Sequence, residues 1–187
     1  MSKIRNSLFY CGLHKEEYEG IRELIDERNF SSTYIVSAAM TAFGIILLAL
    51  MLLTDSGAIF PYLFIFACGL LFLLIRRFLL KKPSQMARPF CYLQMCSVFI
   101  FAIILGCQGA NSELPSTSIV AFLALLPLII NDRPIRMFTV VTAFVVISLI
   151  CFAIFKIPGA HRGDMFNTIT CTLVGMGVYV YWFPTGM

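Results

Sequence analysis

The chain has 187 residues, 59% of them apolar and only 13% charged, with a mean hydropathy of +0.88. A soluble domain carries roughly a quarter of its residues as charged side chains, and a soluble core of this size cannot hide so much apolar surface, so lipid is the implied solvent. The net charge of +4 is gathered in small Lys and Arg clusters between apolar runs, which suits a membrane surface and excludes the dense basic face with interleaved aromatics that nucleic acid requires.

Residues 1–33 form the only extended polar segment, and they lack the apolar core of a cleavable signal peptide. Within them, His14 to Arg28 is rich in helix formers. Tyr18, Ile21 and Ile25 recur at helical spacing with Leu24 beside them, opposite Glu16, Glu19, Glu23, Glu27 and Arg22. A short amphipathic helix is expected, either lying on the membrane or against the bundle or standing as an ordinary solvated helix ahead of the first span.

Six apolar runs follow, each near the roughly 17–25 residues that cross a bilayer as helix. They cover about Tyr34–Leu53, Ala58–Ile75, Phe90–Gly106, Ser116–Ile130, Met137–Phe155 and Met165–Phe183. The fold class is therefore all-α: a polytopic bundle of about six transmembrane helices over 34–183, preceded by the amphipathic segment 1–33 and followed by a short tail, 184–187. Thr54-Asp55-Ser56-Gly57 reads as a tight turn, Pro83 and Pro89 break the second loop, and Pro158-Gly159 breaks the loop after the fifth span.

Lys and Arg counting sets the orientation. Lys3, Arg5, Lys15, Arg22 and Arg28 precede the first span, and Arg76, Arg77, Lys81, Lys82 and Arg88 follow the second. The 107–117 loop has none. The N-terminus and the 76–88 loop are thus expected in the cytoplasm. The last two loops tie, with Arg133 and Arg136 in one and Lys156 and Arg162 in the other. A re-entrant fourth segment would flip everything after it. Full crossing is favoured because Pro115, Ser116 and Thr117 extend the short fourth run into the interface, and it places both termini in the cytoplasm.

Catalytic and cofactor signatures are missing. No Asp, Glu, Lys or Arg lies in the middle of a run, where coupled transporters place a carboxylate. His14 and His161 stand outside the runs, which argues against haem, and there is no HExxH, GxSxG or Walker-type loop. The seven cysteines (Cys11, Cys68, Cys91, Cys96, Cys107, Cys151 and Cys171) form no CxxC pair and read as reduced packing residues. Neither a metal nor another cofactor is expected. Small polar residues within the runs, with Ala38 and Ala42 as a small-xxx-small pair, read as contacts between helices. Gln94, Asn167 and Thr168 could alternatively line a ligand pocket. The best-defined local feature is Leu126 to Arg136: Pro127 kinks the fourth run, Asp132, Arg133 and Arg136 mark a cytoplasmic turn, and Pro134 starts the next helix.

These residues resemble the N-terminal six-helix membrane domain of bacterial membrane-bound diguanylate cyclases, the GGDEF-domain proteins. The likeness rests on Gly12-Leu13-His14-Lys15-Glu16-Glu17-Tyr18 with Ile21-Arg22, on the Asp-Arg-Pro-x-Arg core at Asp132–Arg136, on Asp164-x-x-Asn167, and on the order of the spans. It covers nearly the whole chain through short motifs and favours six crossings. It implies a sensor or anchor module in the bacterial inner membrane, with the lipid bilayer as partner, a homodimer, and a small-molecule ligand as a candidate. The sequence departs from the family after Trp182-Phe183, reading Pro184-Thr185-Gly186-Met187 with no GGDEF motif, so cyclase activity is not carried over. Two other expectations stand beside this one: a small permease or channel, and a lipid-modifying enzyme built on Asn131, Asp132 and Arg133.

Overall fold

The computed structural model describes residues 10, 14–54, 59–79, 86–108, 121, 130 and 132–185, with the main chain alone at 87, 108 and 182–185. The described residues form six helices and no strand: α1 Lys15–Gly20, α2 Arg22–Thr54, α3 Phe60–Phe78, α4 Ala87–Gln108, α5 Pro134–Phe155 and α6 Pro158–Thr185. Most of the fourth expected span (all but 121 and 130), the 54–57 turn beyond Thr54, Lys81, Lys82 and the first nine residues lie outside this description, as do Cys11 and Asn131.

The expected amphipathic helix over 14–28 does not form as a separate unit. Glu17 accepts a hydrogen bond from the His14 N–H at 2.9 Å and starts α1, which gives way at Ile21, and α2 then runs unbroken for 33 residues into and through the first span. The sequence explains the continuity, because no proline occurs between Arg22 and Thr54. Ile25, Asn29, Thr33, Ser37, Met40 and Gly44 are all buried and recur every three or four residues, so one packing stripe crosses the boundary at 33. At 1.5 Å per residue α2 is about 50 Å long, against a hydrocarbon core of about 30 Å, so it is longer than a single crossing requires. Tyr18 and Ile25 of the expected apolar face are buried, whereas Leu24 is 66% exposed.

Four of these helices, α2 to α5, are long and apolar enough to cross a membrane. Their outward faces carry Leu53, Leu71, Ile150 and Ile154 exposed, the inverse of a soluble surface and the arrangement that lipid favours. The sixth expected span falls within α6, where Asn167 and three threonines dilute the apolar run and His161, Arg162 and Asp164 precede it. Pro158 does not break a loop there. It occupies the first turn of α6, where its missing N–H costs nothing, and only Lys156 and Ile157 connect α5 to α6.

The closest approach is between α2 and α3. A Cβ on Gly44 would lie 2.7 Å from the Phe66 main chain, and one on Gly69 would lie 2.6 Å from the Thr41 nitrogen, so each helix offers the other a glycine. The expected Ala38–Ala42 pair is only half-buried or exposed. At the centre lies α4, buried on several sides through Cys91, Met95, Val98, Phe99, Phe101 and Ala102. Its aromatic contacts tie the bundle: Phe90 meets Phe72 of α3 edge-on at 5.4 Å, Phe101 meets Tyr62 at 6.2 Å, and Phe99 stacks on Phe144 of α5 at 4.5 Å.

These contacts fix directions. Tyr92 reaches Asp132 just before α5, and Phe99 reaches Phe144 further along it, so α4 and α5 run parallel. Tyr179, near the end of α6, returns to Asp132. Gln108 and Asp132 therefore stand towards opposite ends of the bundle.

Candidate functional site

The polar side chains of the bundle gather at the end that holds the starts of α2, α4 and α5. Asp132 is at its centre, fully buried. It precedes Arg133 and Pro134, and Pro134 occupies the first turn of α5, so the carboxylate meets the positive end of that helix. One carboxylate oxygen accepts the Arg133 main-chain N–H at 2.7 Å. The other accepts the Tyr92 hydroxyl at 2.8 Å and lies 3.5 Å from the Arg136 guanidinium. The main chain of Asp132 is held as well. The Tyr179 hydroxyl donates to its carbonyl and accepts its N–H. Neighbouring segments thus converge on one buried carboxylate whose lone pairs are well supplied, the condition for burying a charge at tolerable cost.

The N-terminal segment closes over this centre. The Arg133 guanidinium lies 5.1 Å from the Tyr18 ring and 5.3 Å from the Tyr10 ring, cation–π distances. Arg88 at the start of α4 donates through Nε to Asp26 of α2, and Arg22 stands 4.0 Å from the same carboxylate.

Beside this lies a seam between α2, α3 and α4. The Gln94 amide donates to the Thr33 carbonyl at 3.0 Å and to the Ser37 hydroxyl. Arg76, at the end of α3, donates to the Phe30 carbonyl and to the Thr33 hydroxyl at 2.6 Å, with its guanidinium 4.3 Å from the Phe30 ring. A small cavity opens here, lined by Ser32, Thr33, Val36, Cys91, Gln94, Met95 and Ile130.

The other polar cluster joins α5 to α6. Lys156 and Asp164 form an ion pair with side chains only 1% and 0% exposed, and the ammonium is 5.0 Å from the Phe152 ring. Thr168, one turn beyond Asp164, is fully buried, and its hydroxyl has no hydrogen-bond partner among the described residues.

The sequence-derived residues are thus distributed unevenly. Asp132 and Arg133 directly precede α5, and Pro134 and Arg136 lie in its first turn. Gln94 is committed to α2, whereas Asn167 and Thr168 lie on α6 beside the Lys156–Asp164 pair, and no hydrogen bond joins Gln94 to either among the described residues. Arg88 entered only the orientation count, and Tyr92, Tyr179 and Asp26 were not singled out by sequence. Nor was the Lys156–Asp164 pair, although a Lys and an Asp flanking Pro158-Gly159 are a signal for it. Among the described residues no three His, Cys, Asp or Glu side chains are placed to hold a metal. No family model matches the chain, and neither a curated protein nor a solved structure matches it.

Proposed function

We propose that the chain is a membrane sensor or anchor module of a bacterial signalling protein, resembling the N-terminal part of a membrane-bound diguanylate cyclase and without catalytic activity of its own. It crosses the cytoplasmic membrane six times, and α1 with the first turns of α2 forms an amphipathic element on the cytoplasmic side. The observation that carries this reading is the hold of Tyr179 on Asp132. It joins the final part of the last helix to the turn, to α4 and to the N-terminal segment, so a shift among these elements is felt where the chain leaves the bundle.

The parallel course of α4 and α5 supports the fourth crossing. A 22-residue helix spans about 33 Å, and a chain that leaves the far end of α4 has to travel back about that far to enter α5. A re-entrant segment would have placed Asp132 at the other end. The Asp132 end carries Arg22, Arg76, Arg88, Arg133 and Arg136, which supports a cytoplasmic assignment by the positive-inside rule.

A reporter fused after the last residue tests this directly. Activity of a cytoplasm-dependent reporter is expected, and activity of one that works only outside the membrane would put the output on the wrong side. The homodimer is tested by cross-linking in native membranes.

The buried polar line of Thr33, Ser37 and Gln94 favours a second reading, a small permease or channel. Those groups are hydrogen-bonded to one another, and the fully buried carboxylates, Asp132 and Asp164, lie just before or in the first two turns of a helix, away from the midplane position that coupled transport uses. Solute flux through the reconstituted chain would favour this second reading.

A further inference from the structure

Arg133 and Arg88 pose a problem that the described residues do not solve. A guanidinium carries five N–H donors and accepts nothing, and buried donors in native proteins are almost always paired. Among the described residues the buried Arg133 Nε has no hydrogen-bond partner, and neither has the Arg88 Nη2. The two side chains share surroundings. Arg133 lies over the Tyr18 ring, and Arg88 stands one turn before Tyr92 on α4, whose hydroxyl donates to Asp132, the residue next to Arg133. Charge is unbalanced there too. The guanidiniums of Arg22, Arg88, Arg133 and Arg136 face two carboxylates, Asp26 and Asp132, and Arg133 makes no ion pair with a carboxylate among the described residues.

We propose that Arg88 and Arg133, covered by Tyr10 and Tyr18, form a binding site for a phosphate-type anion. Such an anion offers several acceptor oxygens to planar guanidinium forks, satisfies the two orphan donors, and cancels the excess positive charge. The site lies at the basic end of the bundle, where α2 projects past the length needed to cross a bilayer, so a phospholipid headgroup and a free phosphate are both within reach. The tyrosines supply its roof: their rings lie over the Arg133 guanidinium and limit its access to water, which strengthens the pairing. The inference does not depend on the signalling reading.

The test is thermal unfolding of the full chain in neutral detergent, with added phosphatidylglycerol, phosphatidylcholine or millimolar inorganic phosphate. Phosphatidylglycerol is expected to raise the Tm by about 2–4 °C or more over phosphatidylcholine, and Arg133→Gln is expected to abolish that rise. If Arg133→Gln does not fold, Arg133→Lys keeps the charge but has no Nε, and a smaller rise is expected. A rise with inorganic phosphate that Arg133→Gln abolishes identifies a soluble phosphate as the source and equally supports the site. No rise with either anion, or a rise of full size in the Arg133 variants, overturns the proposal.

Discussion

The Tyr179 hydroxyl donates to the Asp132 carbonyl and accepts the Asp132 N–H at 3.2 Å, so one side chain near the end of α6 satisfies both main-chain groups of a residue two positions ahead of α5. Tyr179→Phe keeps the ring and leaves the buried main-chain groups unpaired, at about 1–3 kcal/mol each. The variant is expected to melt several degrees below the parent in detergent. Thr139→Ala, which removes an exposed bond within α5, is the control and is expected to change little. Equal melting temperatures for the two variants would mean that the contact carries no stability.

The glycines at the α2–α3 contact give a second prediction. A methyl group at Gly44 or Gly69 meets main-chain atoms, which cannot swing aside as a flexible side chain does. Gly69→Ala is expected to cost about 1–3 kcal/mol by overpacking. Gly177→Ala, with nothing within 4 Å of the added atom, is expected to be neutral. Melting curves of both variants in one detergent make the comparison.

Lys156 and Asp164 should behave as a unit. Removing one partner strands a buried charge, at about 3–5 kcal/mol, whereas replacing both with apolar residues of similar volume is often neutral or better. Lys156→Met and Asp164→Leu are each expected to destabilise strongly, and the double variant is expected to recover most of the loss. A double variant as unstable as the sum of the singles would show that the pair has no such coupling.

Thr168 bears on the pocket suggested by sequence. Its buried hydroxyl has no partner among the described residues, so Thr168→Val, which exchanges that hydroxyl for a methyl, is expected to be neutral or stabilising by about 1–2 kcal/mol. A destabilised Thr168→Val would instead mean that the hydroxyl binds a group other than the protein's own.

The long apolar helices were legible because a run of about 20 apolar residues has few alternatives, and the start of α5 was legible because Pro134 can begin a helix but not continue one. The fusion of the polar segment into α2 was harder to read. It depends on Asn29, Thr33 and Ser37, which count as polar in a hydropathy profile yet share a packing stripe with Ile25 and Met40. The partners of Asp132 were not legible at all. Tyr92 and Tyr179 are forty or more positions away, and each looks locally like an interfacial tyrosine. Charge counting tied on the last two loops because Lys156 counts as an exposed loop charge in sequence and is spent on a buried pair in the fold.

The central claim is that the Asp132 end of the bundle faces the cytoplasm and the α5–α6 connection faces the other side. Single cysteines at Arg136, which is exposed at the first end, and at Gly159, which has open space around it at the second, test it in a cysteine-free background with a membrane-impermeant maleimide. The account predicts labelling of Gly159→Cys in intact cells and of Arg136→Cys only after the membrane is opened. Labelling of Arg136→Cys in intact cells with Gly159→Cys protected would invert the bundle and contradict the account.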